Sequence, residues 1–160
     1  MVRIGAAAFD PLLKALGNAG PTTRRNAAWA LGAFDDQRAV TPLIGSLRDT
    51  DDRVREQASW ALGTLDDARA LKPLIAALRD SSSRVRRQAA WALGAIDDSA
   101  AVDALVAALK DGDAHVREQS AWALGAIGDA RANSGLSLAL ADSEPRVRRQ
   151  AAWALGAIAP

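Results

Sequence analysis

Ala28-Trp29-Ala30-Leu31-Gly32-Ala33 decides the fold, because the chain repeats this run in near-identical form five times. Trp29, Trp60, Trp91, Trp122 and Trp153 each open the sequence Trp-Ala-Leu-Gly at a constant spacing of 31 residues, and they are all the tryptophans present. A fixed period of this length marks stacked copies of one supersecondary unit, none of which buries its apolar face alone.

Outward from that run, each copy reads as two helices. In the second copy, Val40-Thr41-Pro42-Leu43-Ile44-Gly45-Ser46-Leu47 has the apolar spacing of a short helix. Pro42 suits its first turn, where no N–H is needed, and Pro11 and Pro73 hold the same register. A polar turn, Asp49-Thr50-Asp51-Asp52, then supplies acceptors for the next helix. The aligned cap residues are Gly20, Asp51, Ser82, Asp113 and Glu144, and the second helix runs Val54 to Leu65. Acidic pairs Asp35-Asp36, Asp66-Asp67 and Asp97-Asp98 close three units and open the next. The sequence therefore predicts a single domain over 1–160, an all-α solenoid of five two-helix units at roughly 1–34, 35–65, 66–96, 97–127 and 128–160.

Composition removes several function classes. With 20 basic and 19 acidic side chains, net charge +1, bulk charge points neither to nucleic acid nor to a membrane surface. Zero cysteines exclude disulfides, a thiolate zinc site and a cysteine nucleophile. The single histidine, His115, stands in a row otherwise held by arginine, and carboxylate pairs recur where caps are needed. Phosphate-binding glycine loops, metal-ligand spacing and nucleophile elbows are absent, so no cofactor and no catalysis are expected. No signal-peptide layout and no membrane-length apolar run occur, which makes a cytoplasmic location the default.

The unit Val-Arg-x-x-Ala-x-x-Ala-Leu-Gly, followed by Asp-x-x-Ala and Pro-Leu-Ile-x-x-Leu-x-Asp, resembles the HEAT-like repeats. It is most similar to the short type found in phycobilisome bilin lyases and artificial HEAT-like binding libraries. The resemblance covers nearly the whole chain and implies stacked two-helix units whose second helix lines a concave surface. That family includes scaffolds, lyase subunits and DNA glycosylases, so the resemblance does not select an activity. Near-identical copies are what recent tandem duplication or deliberate consensus design produces.

A helical wheel sets the tryptophans apart from the core. With Trp60 at zero, Ala61, Val54, Leu65, Ala58 and Leu62 fall between about 100° and 200°, while Gln57, Glu56, Arg53 and Thr64 fall within about 60° of the indole. Four residues before each Trp stand Arg25, Glu56, Arg87, Glu118 and Arg149, signs alternating; seven before stand Arg53, Arg84, His115 and Arg146, with Thr22 in the first unit. Stacking is expected to place each acid between two bases, and an arginine over an indole. The five indoles with Arg53, Arg84, Arg87 and Arg146 are the expected contact surface for a protein or peptide. Exposed indoles predict that truncating Trp60, Trp91 and Trp122 together spares the fold. Nucleic-acid binding through the same basic face and a bilin-lyase subunit are the alternatives.

Arg55, Arg86, Arg117 and Arg148 sit at about 220°, beside the buried arc, each six residues after Asp49, Asp80, Asp111 or Asp142. In HEAT-like repeats such an Asp and Arg resemble the hydrogen-bonding ladder that ties loop to helix and unit to unit. The fifth unit departs from the pattern: Asn133, Ser137 and Leu138 shift the apolar stripe of its first helix. Apolar ends, from Val2 and Ile4 to Phe9 and over 157–160, together with the indole face, predict self-association as a homo-oligomer.

Overall fold

The computed structural model describes residues 6–18 and 20–158, without the side chains of residues 6, 7 and 18. The sequence features noted at Val2, Ile4 and 159–160 lie outside the described residues. Ten α-helices and no strand occur among the described residues. They pair as α1 (Ala6–Asn18) with α2 (Pro21–Ala33), α3 (Val40–Ser46) with α4 (Asp52–Leu65), and α5 (Leu71–Ala77) with α6 (Ser83–Ile96). The last two pairs are α7 (Val102–Ala108) with α8 (Ala114–Ile127), and α9 (Asn133–Ala139) with α10 (Pro145–Ile158). Each first helix packs on its own second helix, and the second helices pack in series, α2 to α4 to α6 to α8 to α10. This is an α-solenoid with one continuous apolar core of leucine, alanine and valine.

Helix entry is set by aspartate. Asp51 accepts from the Arg53 and Val54 N–H groups and Asp113 from that of His115. Gly20 and Ser82 hold the cap position without a side-chain capping bond, and the Ser82 hydroxyl donates to Asp52 of the unit before at 2.9 Å. The acidic pairs divide their work. Asp35, Asp66 and Asp97 adopt left-handed φ values of 53°, 47° and 54°, and Gly128 takes that place at 70°. That conformation ends a helix, and short polar residues or glycine tolerate it best. The second aspartates, Asp36, Asp67, Asp98 and Asp129, each cap a single 3₁₀ turn that feeds the next helix.

Proline placement needs one correction. Pro42 and Pro73 occupy the first turn of α3 and α5, but Pro11 lies inside α1. The first unit has Ala6-Ala7-Ala8 where its successors have the capped 3₁₀ turn, so α1 starts a turn earlier.

On α4 every residue of the predicted arc is buried: Val54, Ala58, Ala61, Leu62 and Leu65. Ser59 and Gly63 are buried too, extending the covered arc to about 300° on the same wheel. The helix is flanked by α2 and α6 as well as seated on α3. Ser59 satisfies its hydroxyl by donating to the Arg55 carbonyl at 2.9 Å.

Candidate partner-binding face

The tryptophans lie at the flank of the packed arc rather than wholly outside it. Trp29 and Trp153 are 54% and 49% exposed, but Trp60, Trp91 and Trp122 are half-buried against the core. A glycine of the preceding unit seats three of the five rings, those of Trp91, Trp122 and Trp153. A Cβ on Gly63 would stand 2.8 Å from Trp91 Cζ3; on Gly94, 2.7 Å from Trp122 Cζ3; on Gly125, 2.6 Å from Trp153 Cζ3. The Ala92, Ala123 and Ala154 Cα atoms would each stand 2.8 Å from those same added Cβ atoms. Each of these indoles therefore lays its Cζ3 edge over the glycine of the unit before. The wheel placed all five indoles away from the core, but Trp60, Trp91 and Trp122 are half-buried, because α4 is packed by α2, α3 and α6 and not on one face alone.

Between the second helices lie two shallow hollows. One, of about 630 Å³, joins α2, α4 and α6: Trp29 and Trp60 stand in it with Arg25, Arg53 and Arg84, beside Glu56, Gln57 and Gln88. The other, of about 560 Å³, joins α4, α6 and α8 and holds Trp60, Trp91, Arg87, His115, Glu118 and the amides Gln88 and Gln119. Trp122, Trp153 and Arg146 continue the rows on α8 and α10.

Of the expected charge alternation, one cross-unit contact forms, Arg87 to Glu56 at 3.7 Å. Glu118 lies instead 3.9 Å from His115 on its own helix. Arg146 reaches back across the junction, its Nη1 2.9 Å from His115 Nε2, and its Nη2 is 3.6 Å from Glu144. Arg25, Arg53, Arg84 and Arg149 make no side-chain ion pair with a described residue. The one cation–π contact among the described residues is Arg38 over Phe9, at 4.2 Å, so these arginines leave the indoles uncovered.

The second arginine row behaves differently. Arg55 forks onto Asp80 of the following unit, Nε and Nη2 donating at 2.8 and 2.9 Å, while its Nη1 donates to the Asp49 carbonyl at 2.8 Å. Arg86 does the same with Asp111, and Arg117 with Asp142. Arg24 forks onto Asp49 at 2.6 and 2.7 Å. Arg148 donates through Nη1 to the Asp142 and Ser143 carbonyls. Within a unit the aspartate thus supplies its carbonyl, and its carboxylate takes the arginine of the unit before. Each carboxylate also accepts the N–H two residues on, as Asp80 does from Ser82 at 2.9 Å. At 13% side-chain exposure on both partners, the Arg55–Asp80 pair is close to fully covered.

These contacts set the acidities. The Arg24 guanidinium holds the Asp49 carboxyl below its ordinary range. Burial pushes Asp80 and Asp111 up, but the hydrogen bonds from Arg55 or Arg86 and from a backbone N–H outweigh it and leave both lowered. Arg117 lowers Asp142 in the same way.

Sequence reasoning missed one row. Asn26, Gln57, Gln88, Gln119 and Gln150 stand three residues before each Trp. Gln57, Gln88 and Gln119 line the hollows, and their side chains make no hydrogen bond to a described residue. The 31-residue register carried that signal. Among the described residues no cluster of three or more metal-ligating side chains exists, and no helix is long and apolar enough to cross a membrane.

Comparison with known proteins fits this geometry. The profile of HEAT repeats matches residues 9–90 and 71–156. The CpcE–CpcF complex of phycocyanin lyase from Nostoc sp. superposes with a TM-score of 0.84 at 27% identity, covering 99% of this chain and 69% of that one. A designed armadillo-repeat protein in complex with the peptide (KR)4 gives 0.77 at 24% identity, over 96% and 83%, a likeness of fold alone. An engineered protein gives 0.72 at 27%, over 94% and 79%. No curated protein matches the chain.

Proposed function

The chain belongs to the HEAT-repeat family, and on that premise we propose that it is a protein-binding scaffold, not an enzyme, whose second-helix face takes a protein or peptide. The observation that carries this reading is the pair of hollows in which half-exposed indoles stand beside amides, and in the first of them beside Arg25, Arg53 and Arg84, whose side chains have no partner among the described residues. Indole and guanidinium are the groups most enriched where truncation costs binding energy. Similar structures point the same way, one a complex of CpcE with CpcF and another a complex with a peptide. The contact set is Trp29, Trp60, Trp91, Trp122 and Trp153 with Arg53, Arg84, Arg87 and Arg146. The Asp–Arg ladder is structural.

A second copy is a poor occupant of this face, because two basic rows would oppose each other; analytical ultracentrifugation at high concentration tests homo-oligomers formed any other way. A role as a lyase subunit would need tetrapyrrole contacts, and no residue outside the shared repeat supplies them.

A displayed library of random 15-residue peptides, selected on the protein, tests the proposal. Enriched peptides should lose at least ten-fold in affinity against Arg53→Ala/Arg84→Ala/Gln88→Ala, whose melting midpoint should stay unchanged. Peptides that bind this variant as well as the parent would overturn the reading.

A further inference from the structure

We infer that this face takes an extended acidic peptide in the polyproline II conformation, with one peptide turn per repeat unit and carboxylates that meet the arginines of α2, α4, α6 and α10. This rests on the scaffold reading above. Charge selects the sign. Arg25, Arg53, Arg84 and Arg149 have no ionic partner among the described residues, whereas Glu56 and Glu118 are each within 4 Å of a basic side chain. What the face lacks is carboxylate.

Two further rows select an open main chain. The amides of Gln57, Gln88 and Gln119 each offer a donor and an acceptor that no described residue uses. The indole N–H groups likewise make no hydrogen bond to a described residue, yet no buried side-chain nitrogen lacks a partner. They therefore reach solvent on this face. An α-helical ligand has spent its interior N–H and C=O groups on itself and would leave both rows unanswered. An extended ligand answers them.

Spacing selects the kind of extended chain. The same side chain recurs from one second helix to the next at the distance between packed helices, about 8–10 Å. A β-strand advances about 3.3 Å per residue with side chains alternating, so equivalent groups on one face recur about every 6.6 Å and fall out of step. Polyproline II has three residues per turn at about 3.1 Å each, so every third side chain returns to the same face after roughly 9 Å. Each third residue then returns to the protein, with its carboxylate on an arginine where α2, α4, α6 or α10 supplies one, its carbonyls and N–H on a glutamine and an indole, and its flanking residues on the ring face.

Fluorescein-labelled, end-blocked (Glu-Pro-Pro)5 tests this by anisotropy at low and moderate salt. Controls are a scrambled peptide of the same composition, (Lys-Pro-Pro)5, a glutamate-bearing helical peptide and a twelve-nucleotide oligo-dT. The expected result is binding at least ten-fold tighter than to any control, weakening with salt. Arg25→Glu/Arg53→Glu/Arg84→Glu should lose at least ten-fold, and Gln57→Leu/Gln88→Leu several-fold, with unchanged melting midpoints. Equal binding of the scrambled, lysine or helical peptide overturns the inference, as does tighter binding of the oligonucleotide or no binding at all. The library selection separates the two claims: face-dependent peptides that are basic or lack the three-residue period sink this inference and leave the scaffold reading standing.

Discussion

Gly94 and Gly45 are both helical glycines, yet they do opposite things. Gly94 sits in the second-helix row, where a Cβ would meet Trp122 Cζ3 at 2.7 Å and the Ala123 backbone at 2.8 Å. Gly45 sits in α3, with nothing within 4 Å of a Cβ. Second helices touch second helices through backbone, so their Trp, Ala and Gly rows cannot drift. Among the first helices a Cβ on Gly135 would meet a side chain, Val106 at 2.9 Å, and not backbone, and there the sequence wanders: Ala104 and Gly135 replace proline, and Leu138 is 73% exposed on α9. Constancy follows the closeness of the packing.

Gly94→Ala should therefore be the most damaging single change, costing about 3 kcal/mol or more in urea unfolding, because the clash is with backbone and a ring edge. Gly45→Ala should instead stabilise by up to about 1 kcal/mol, the helix-propensity gain. A neutral Gly94→Ala would show that the units are not in register through this row.

Asp111→Ala strips the Arg86 fork of its carboxylate and should cost about 2–3 kcal/mol. The pH dependence follows from the direction of the shifts. Asp49, Asp80, Asp111 and Asp142 are all lowered, so the folded chain binds fewer protons than the unfolded one in that range. Their contribution is present above the ordinary carboxylate range and is lost as pH falls below about 4. Acid titration of the melting midpoint should steepen there, and less so in Asp111→Ala.

Trp91→Ala should cost about 2 kcal/mol, part of what a fully buried aromatic loses, while Trp29→Ala, more exposed, should cost less than half as much. Equal losses would mean that the glycine contact contributes nothing. Leu138→Ala, on the permissive row, should move stability by less than about 0.5 kcal/mol.

Much of this was legible in the sequence. The 31-residue period gave the solenoid, and the wheel gave Val54, Ala58, Ala61, Leu62 and Leu65 as buried. It stopped short where a helix is packed on more than one side: a single-helix wheel cannot show that Trp91 rests on Gly63 of the neighbouring unit. Register spacing paired Asp49 with Arg55, a pair that forms through the Asp49 carbonyl, while the carboxylate reaches Arg24 of the unit before, a division of the two groups that sequence offset does not show. The alternating charges promised more cross-unit pairs than Arg87–Glu56 because long exposed side chains are weakly held. The left-handed role of Asp35, Asp66 and Asp97 was hidden because aspartate also caps helices, and Gly128 in the same register was the available clue.

The central claim is that the second-helix face is where a partner binds, and the five indoles report on it directly. In a ¹H–¹⁵N correlation spectrum their Nε1–H groups account for every indole signal, since these are all the tryptophans of the chain. On titration with a selected peptide the account predicts that the Trp60, Trp91 and Trp122 indole signals shift, while backbone amides of α3, α5 and α7 stay in place. Indole signals that stay fixed while the first-helix amides shift would contradict it.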